Sequence, residues 1–237
     1  MKILYISSTY AGMHSKSIYY DLMQEFVTHG HEVYIAYARE KRLNKRTELY
    51  KQNNITYLGI KTGNMTKNRN FITKGIATLT IDYYFAKAFK KYFSDLDFDI
   101  ILFSTPPITF DYALRTLKTQ SPNAILYLML KDIFPQNAID LDLMSSKSPL
   151  TRYFKLKEKK LYDIADVIGV MSPENKKYLE KHNSEVAHKI EILPNTITLV
   201  DSNESKSRKD YGIPENKVVL LYGGNLGAPQ GIPFLIE

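Results

Sequence analysis

Four short loops hold the residues whose types and spacing could do chemistry. The first is Gly223-Gly224-Asn225, entered from the apolar run Val218–Tyr222 and followed by Gly227 and a segment from Gly231 that reads as a helix start. Strand, glycine-rich turn and helix N-terminus in that order make a phosphate cradle, because glycines let backbone N–H groups approach an anion and the helix dipole favours it. The second is Lys131-Asp132-Ile133-Phe134-Pro135, directly after the apolar run Ala124–Leu130. An aspartate at the carboxyl end of a buried strand can face a cleft and take a hydroxyl proton. An aspartate just before a proline also serves as a turn or cap residue, and the residues alone leave that plainer use ahead. The third loop, Ser8–Ser15, offers Gly12 for close backbone approach to a ligand and His14 as donor or acceptor. A surface loop with an idle histidine stands equally beside that reading. In the fourth, Thr105-Pro106-Pro107 stiffens the chain after Leu102-Phe103-Ser104, either as a rigid turn or as a pocket wall.

Other chemistries find no anchor. The Ser8–Ser15 loop lacks the Gly-x-Gly-x-x-Gly spacing, which disfavours nicotinamide and flavin dehydrogenases, and neither a Gly-x-Ser-x-Gly elbow nor a Walker A loop occurs. The five histidines (His14, His29, His31, His182 and His188) show no metal-ligand spacing and cysteine is absent, so no metal is expected. Lysine and arginine number 32 against 25 acids, a net charge of +7 that favours anionic partners: phosphorylated substrates, anionic lipid or nucleic acid. No zinc-finger spacing, helix-turn-helix or RNA-binding aromatic signature accompanies that charge, so nucleic acid is not expected. The opening MKILYISSTY has too short an apolar run for a signal peptide, and no uncharged stretch is long enough to span a bilayer, which reads as a cytoplasmic chain.

The elements that must position these loops follow from periodicity. Lys2–Ser7, His31–Ala38, Ile55–Ile60, Asp99–Ser104, Ala124–Leu130, Val167–Met171 and Glu191–Leu193 read as strands, mostly continuous apolar runs of the kind buried on both faces of a parallel sheet. Helices are expected around Ile18–Val27, Phe71–Phe93, Ile108–Lys118, Arg152–Ile164 and Pro173–His182. This alternation predicts an α/β chain with a doubly wound, Rossmann-like parallel sheet, in which ligands gather at the carboxyl ends of strands. The helix over Phe71–Phe93 carries aromatic and aliphatic residues together with Lys74, Lys87, Lys90 and Lys91. It can pack on the sheet with its lysines in water, or lie in a membrane interface with them toward lipid headgroups. Asp201–Asp210 is polar and reads as a linker, which divides the chain into a domain over 1–198, a linker over 199–213 and, over 214–237, the first strand and turn of a second domain.

Taken in order, KILYISSTYAG, GHEVYIAYA (Gly30–Ala38), the TPP loop (Thr105–Pro107), KDIFPQ (Lys131–Gln136), YDIADVIGVMSP (Tyr162–Pro173), ILPN (Ile192–Asn195) and LYGGNLGAPQG (Leu221–Gly231) resemble the family-4 retaining glycosyltransferases of the GT-B architecture. The likeness is greatest to those that build bacterial capsule, O-antigen and colanic acid. The resemblance implies that 1–198 is the N-terminal, acceptor-side domain of such an enzyme. A nucleotide-sugar, expected to be a UDP-sugar, would be the donor, and no cofactor is implied. Gly12 would lie near the donor phosphates, with Gly223, Gly224 and Asn225 facing the same cleft. Asp132 would face the acceptor and the reacting sugar, with His14, Lys131 and Thr105 as acceptor-side candidates. The acceptor would be a lipid-diphosphate-linked saccharide at an anionic membrane surface, on the inner face of the plasma membrane. The family's E-x7-E segment and its diphosphate-contacting basic pair have no counterpart in these residues, so the chain is expected to be truncated, prematurely stopped, or half of a split enzyme whose donor domain is a separate chain. On its own it is then expected to be inactive. The rival expectation is a non-catalytic membrane-docking or scaffold subunit.

Overall fold

The computed structural model of the chain describes residues 1–8, 17–66, 71–199, 207–224, 226–227 and 230–236, without the side chains of Phe71 and Ile72. The apolar runs build one sheet from β1 (Lys2–Ser7), β2 (Glu32–Glu40), β3 (Glu48–Gln52), β4 (Ile55–Thr62), β5 (Ile100–Ser104), β6 (Ile125–Leu130), β7 (Val167–Val170) and β8 (Ile190–Ile192). Their order is β3-β4-β2-β1-β5-β6-β7-β8. All neighbours are parallel except β3 and β4, which are antiparallel. Ile6 of β1 is in register with Ala36 on one side and Phe103 on the other. This is the α/β, Rossmann-like arrangement that the alternation of runs predicts.

Helices α1 (Ile18–Thr28), α2 (Phe71–Tyr92), α3 (Asp111–Gln120), α5 (Pro149–Ile164) and α6 (Pro173–His182), with the short α4 (Gln136–Asp140), connect the strands. Both faces of the sheet are dry. Leu4, Ile6, Phe103, Leu128 and Ile168 pack on one side with Phe85 and Phe89 of α2 and Phe93 just after it, whereas Ile3, Tyr5, Ile35 and Tyr57 pack on the other with Met23 of α1. Burial on both faces is why these strands read as unbroken apolar runs rather than alternating ones.

Helix α2 packs on the sheet, one of the two uses read for Phe71–Phe93, yet it carries apolar residues on two faces. Ile81, Phe85, Phe89 and Phe93 are fully buried, while Ile76, Leu79, Tyr83 and Tyr84 are 41–57% exposed. Its lysines divide as well: Lys90 Nζ donates to the Tyr112 hydroxyl at 2.9 Å, on the side of α3.

The chain divides into two units, Met1–Ile197 and Thr198–Glu237. In the second, a short 3-10 turn over Arg208–Tyr211 is closed by a Ser207–Asp210 capping box and ends at Gly212 in the left-handed region (φ +64°). Val218–Tyr222, expected as a buried strand, has no regular structure, and Val218, Leu220 and Leu221 are each at least 91% exposed. A strand exists only through a ladder to a neighbour, and none of the described residues pairs with this segment. Downstream, a short helix α7 (Ile232–Ile236) does form where the glycine-rich turn predicts a helix start.

Candidate active site

The strand order reverses at β1: β2 and β4 lie to one side of it, and β5 to β8 to the other. The crevice outside the carboxyl ends of the strands at such a reversal is where doubly wound sheets bind ligands. Three chain segments meet there. Ser8, just past β1, donates through Oγ to the Pro106 carbonyl at 3.4 Å, linking the β1 and β5 ends. Inside, the Tyr5 hydroxyl and Ser104 Oγ are 3.3 Å apart, and the Tyr5 ring stacks on Tyr19 from the first turn of α1 at 5.2 Å. Burial raises the Tyr19 phenol above its ordinary value, and a bond with Ser104 opposes the rise.

Thr105 joins the β5 end to the β6 end. Its hydroxyl is almost fully buried, accepts the backbone N–H groups of Lys131 and Asp132 at 3.1 Å each, and donates to the Asp132 carbonyl at 3.2 Å. The Asp132 side chain is left free of that knot and stands at the surface of the cleft. Partial loss of water around it pushes its carboxyl above the ordinary carboxylate range. Lys131 is tied to the chain after β8: its ammonium donates to Asn195 Oδ1 at 2.7 Å, and burial lowers its pKa. Asn195 belongs to the ILPN run after β8, so that run also reaches the carboxyl edge.

Beside Asp132 lies a hollow of about 420 Å³ between the start of α4 and the start of α6, with Asn137, Asp140, Glu174, Asn175 and Tyr178 in its wall. Along α4, Gln136 Nε2 donates to Asp140 Oδ1 at 2.7 Å. Carboxylates, amides and one phenol around a volume of this size can satisfy the hydroxyls of a bound saccharide. Among the described residues no group of three or more His, Cys, Asp or Glu could hold a metal ion.

The structure thus brings together Thr105, Lys131 and Asp132. Gly12, His14 and Asn225 lie outside the described residues. Gly223 and Gly224 belong to the second unit and have no regular structure; a Cβ on Gly223 would meet open space, and one on Gly224 would meet only the Tyr222 ring. Sequence reasoning missed Tyr19, Asn195 and the Asn175/Tyr178 pair. The last two are three residues apart in the first turns of a helix that opens, capped by Ser172, directly after a buried strand. That spacing, on a helix whose start had been located, was a readable signal.

Comparison with known proteins bears on the family and the fold. Residues 17–200, more than three quarters of the chain, match the family described as Glycosyltransferase Family 4. No curated protein is significantly similar to it in sequence. Among solved structures it is similar to an E. coli trehalose-6-phosphate structure bound with UDP-2-fluoro glucose, at a TM-score of 0.56 and 11% identity over 83% of this chain and 49% of that one. It is also similar to TcCGT1 in complex with UDP, at a TM-score of 0.54 and 11% identity over 89% of this chain and 54% of that one. At such identities the likeness is one of fold, and the chain spans about half the length of the structures it matches. The sheet is that of the N-terminal halves of GT-B glycosyltransferases, and the chain belongs to glycosyltransferase family 4.

Proposed function

We propose that this chain supplies the acceptor-side half of a retaining glycosyltransferase that moves a hexose or aminosugar from a nucleotide-sugar to a lipid-diphosphate-linked saccharide in surface polysaccharide synthesis. The observation that carries the reading is the placement of Asp132: a cleft-facing carboxylate at the carboxyl end of β6, its backbone locked to β5 by one buried hydroxyl. In this reading the acceptor sugar occupies the hollow beside α4 and α6, and one of its hydroxyls meets Asp132. As that oxygen bonds to the anomeric carbon, the bond from carbon to the diphosphate oxygen breaks and its electron pair leaves with the nucleoside diphosphate. Asp132 takes the hydroxyl proton. The nucleotide is proposed to be uridine diphosphate because both similar structures were solved with UDP or a UDP-sugar bound. Gly12 and the Gly223-Gly224-Asn225 turn are proposed to approach the diphosphate through backbone N–H groups, and His14 the acceptor.

The setting we propose is an anionic membrane surface on the cytoplasmic side, reached as a peripheral protein. No helix among the described residues is long and apolar enough to cross a membrane. The exposed apolar residues of α2 and the net charge of +7 support surface association. The deciding experiment measures UDP-sugar hydrolysis and transfer to a lipid-diphosphate-linked acceptor, using this chain alone and with a family-4 donor-binding half supplied on the same chain or a separate one. Turnover only with the donor half, lost on Asp132→Ala, supports the reading. Vesicle binding without turnover in either case favours the docking-subunit alternative, for which the exposed face of α2 is the supporting observation.

A further inference from the structure

We propose that the cleft between the carboxyl end of β4 and helix α2 binds the phosphates of anionic lipid headgroups, while the apolar residues beside it on α2 enter the lipid. The inference rests on the membrane-surface part of the functional reading and is independent of its transfer chemistry.

The cleft measures about 540 Å³, and four lysines from three elements converge on it: Lys41 after β2, Lys61 on β4, and Lys87 and Lys91 on α2. Sequence reading had seen only the two on the helix. All four are exposed. The carboxylates at this end of the sheet are committed elsewhere. Glu40 accepts from the backbone N–H groups of Met65 and Thr66 and from Arg42 Nε, and Glu48 pairs with Arg39 at 2.8 Å. Asp82, the one acid on α2, faces away and accepts the backbone N–H groups of Tyr112 and Ala113 on α3. The cleft is therefore a concentration of positive charge without a neutralising partner among the described residues. Lysines, as flexible point charges, suit phosphates whose position varies.

The second half of the argument is what lies next to that charge. Ile76, Leu79, Tyr83, Tyr84, Lys87 and Lys91 follow three- and four-residue spacing along the exposed side of α2, so one helix stripe passes from apolar through aromatic to cationic. A second hollow, of about 400 Å³, shares Lys41 and Tyr84 with the first and has Ile76 in its wall, so the groove continues along the stripe. A site for a free phosphate has no use for an exposed apolar ridge 41–57% open to water. An interfacial surface needs both, with tyrosines at the headgroup level. Lys41, Lys61 and Asp132 share the carboxyl edge of the sheet, and β4 and β6 are four strand spacings apart, about 19 Å. A membrane met at the lysine cleft therefore lies along the edge where the lipid-linked acceptor is proposed to react.

The test is flotation of the whole chain with vesicles of phosphatidylcholine alone or with 30% phosphatidylglycerol (about one anionic lipid in three, enough for a substantial surface potential), at low and raised salt. The chain is expected to float with the anionic vesicles only, and less at raised salt. Each lysine at such a surface contributes about fivefold to partitioning, so Lys61→Gln/Lys87→Gln/Lys91→Gln should lose about a hundredfold. A control with the same charge loss, Lys177→Gln/Lys181→Gln/Lys217→Gln, should lose less than about fivefold. Ile76→Ser/Leu79→Ser, at exposed positions, should weaken the binding that survives raised salt. Circular dichroism confirms that each variant is folded. The proposal is overturned if the wild-type chain does not float, if the control loses as much as the cleft variant, or if inorganic pyrophosphate displaces the chain better than sodium chloride of equal ionic strength, which would make the cleft a free-phosphate site. A chain that floats but gives no transfer even with a donor-binding half keeps this proposal and loses the transferase reading; one that transfers with that half and never floats does the reverse.

Discussion

Thr105 and Asp132 are bonded in both directions: the Asp132 N–H donates to Thr105 Oγ1 at 3.1 Å, and the same hydroxyl donates to the Asp132 carbonyl at 3.2 Å. With the Lys131 N–H also on that oxygen, a single buried side chain just past β5 fixes the loop after β6. Thr105→Val keeps the shape and removes every one of these bonds, leaving buried backbone groups unpaired. The expected cost is about 1–3 kcal/mol in urea unfolding, with Thr105→Ser recovering most of it. A valine variant as stable as wild type would mean that the loop holds its position without the hydroxyl.

Asp132→Asn separates charge from position at the site. If the carboxylate takes the acceptor proton, transfer by the complete enzyme should fall by about 10²–10⁴, with stability little changed because the side chain stands at the cleft surface. The pH dependence carries a sign. Desolvation raises the carboxyl pKa from its ordinary 3.8, so the base becomes protonated, and activity is lost on acidification, at a higher pH than an ordinary aspartate would require. Rate profiles that are superimposable for wild type and variant would remove Asp132 from the chemistry.

The parts of the fold legible in the sequence are those set by burial on both faces. β1, β5, β6 and β7 fall within a residue or so of the apolar runs, and α6 fills Pro173–His182 as read. β3 was missed because it is an edge strand: Glu48–Gln52 is exposed at four of five positions, and its pairing to β4 across Asn53-Asn54, both with positive φ, gives no apolar run. The start of α5 was placed late although Ser148 caps it and Pro149 opens it, a signal that was present. The start of α3 was placed early for a reason the local sequence does not contain, since its first N–H groups are held by Asp82 from another helix. Val218–Tyr222 shows the limit from the other side: an apolar run specifies a strand only when a ladder partner stands beside it. At the site, Asp132 and Thr105 could be singled out one at a time. Their mutual bonds could not, because residues 27 apart in sequence meet only once β5 and β6 are neighbours.

The Asp82 contact with α3 makes a pH-dependent prediction for the fold itself. Its two oxygens accept from Tyr112 N at 3.1 Å and Ala113 N at 2.7 Å. Burial raises its pKa from 3.8 to about 6; the two amides and Lys157 lower it, and Asp111 raises it. The folded chain thus holds this proton more tightly than the unfolded one. The associated stabilisation is complete below the unfolded value and is lost as pH rises through about 6. Asp82→Ala removes the helix cap at every pH, at about 1–2 kcal/mol, and removes the titration. The stability difference between wild type and Asp82→Ala should therefore shrink by up to about 3 kcal/mol between pH 4 and pH 7. A difference that is flat or widens over that range would show that the carboxylate is held as the anion.

Gly59 tests whether a strand glycine can be specified by its neighbour's side chain. A Cβ built on it lies 2.1 Å from Arg39 Nε, so the guanidinium occupies the space a side chain would need. Arg39 is not free to withdraw. Its Nε donates to the Tyr37 hydroxyl at 2.8 Å and one terminal nitrogen to Glu48 at 2.8 Å and the Arg46 carbonyl at 3.1 Å, with the guanidinium over the Tyr50 ring. Gly59→Ala should therefore cost about 1–3 kcal/mol through overpacking, against the small gain that alanine normally gives over glycine inside a strand. The double-mutant cycle decides the cause. In an Arg39→Ala background the obstacle is gone, and Gly59→Ala should be neutral or stabilising, leaving a coupling energy of at least about 1 kcal/mol. Equal costs in both backgrounds would place the requirement for glycine in the backbone of β4, not in the arginine that lies across it.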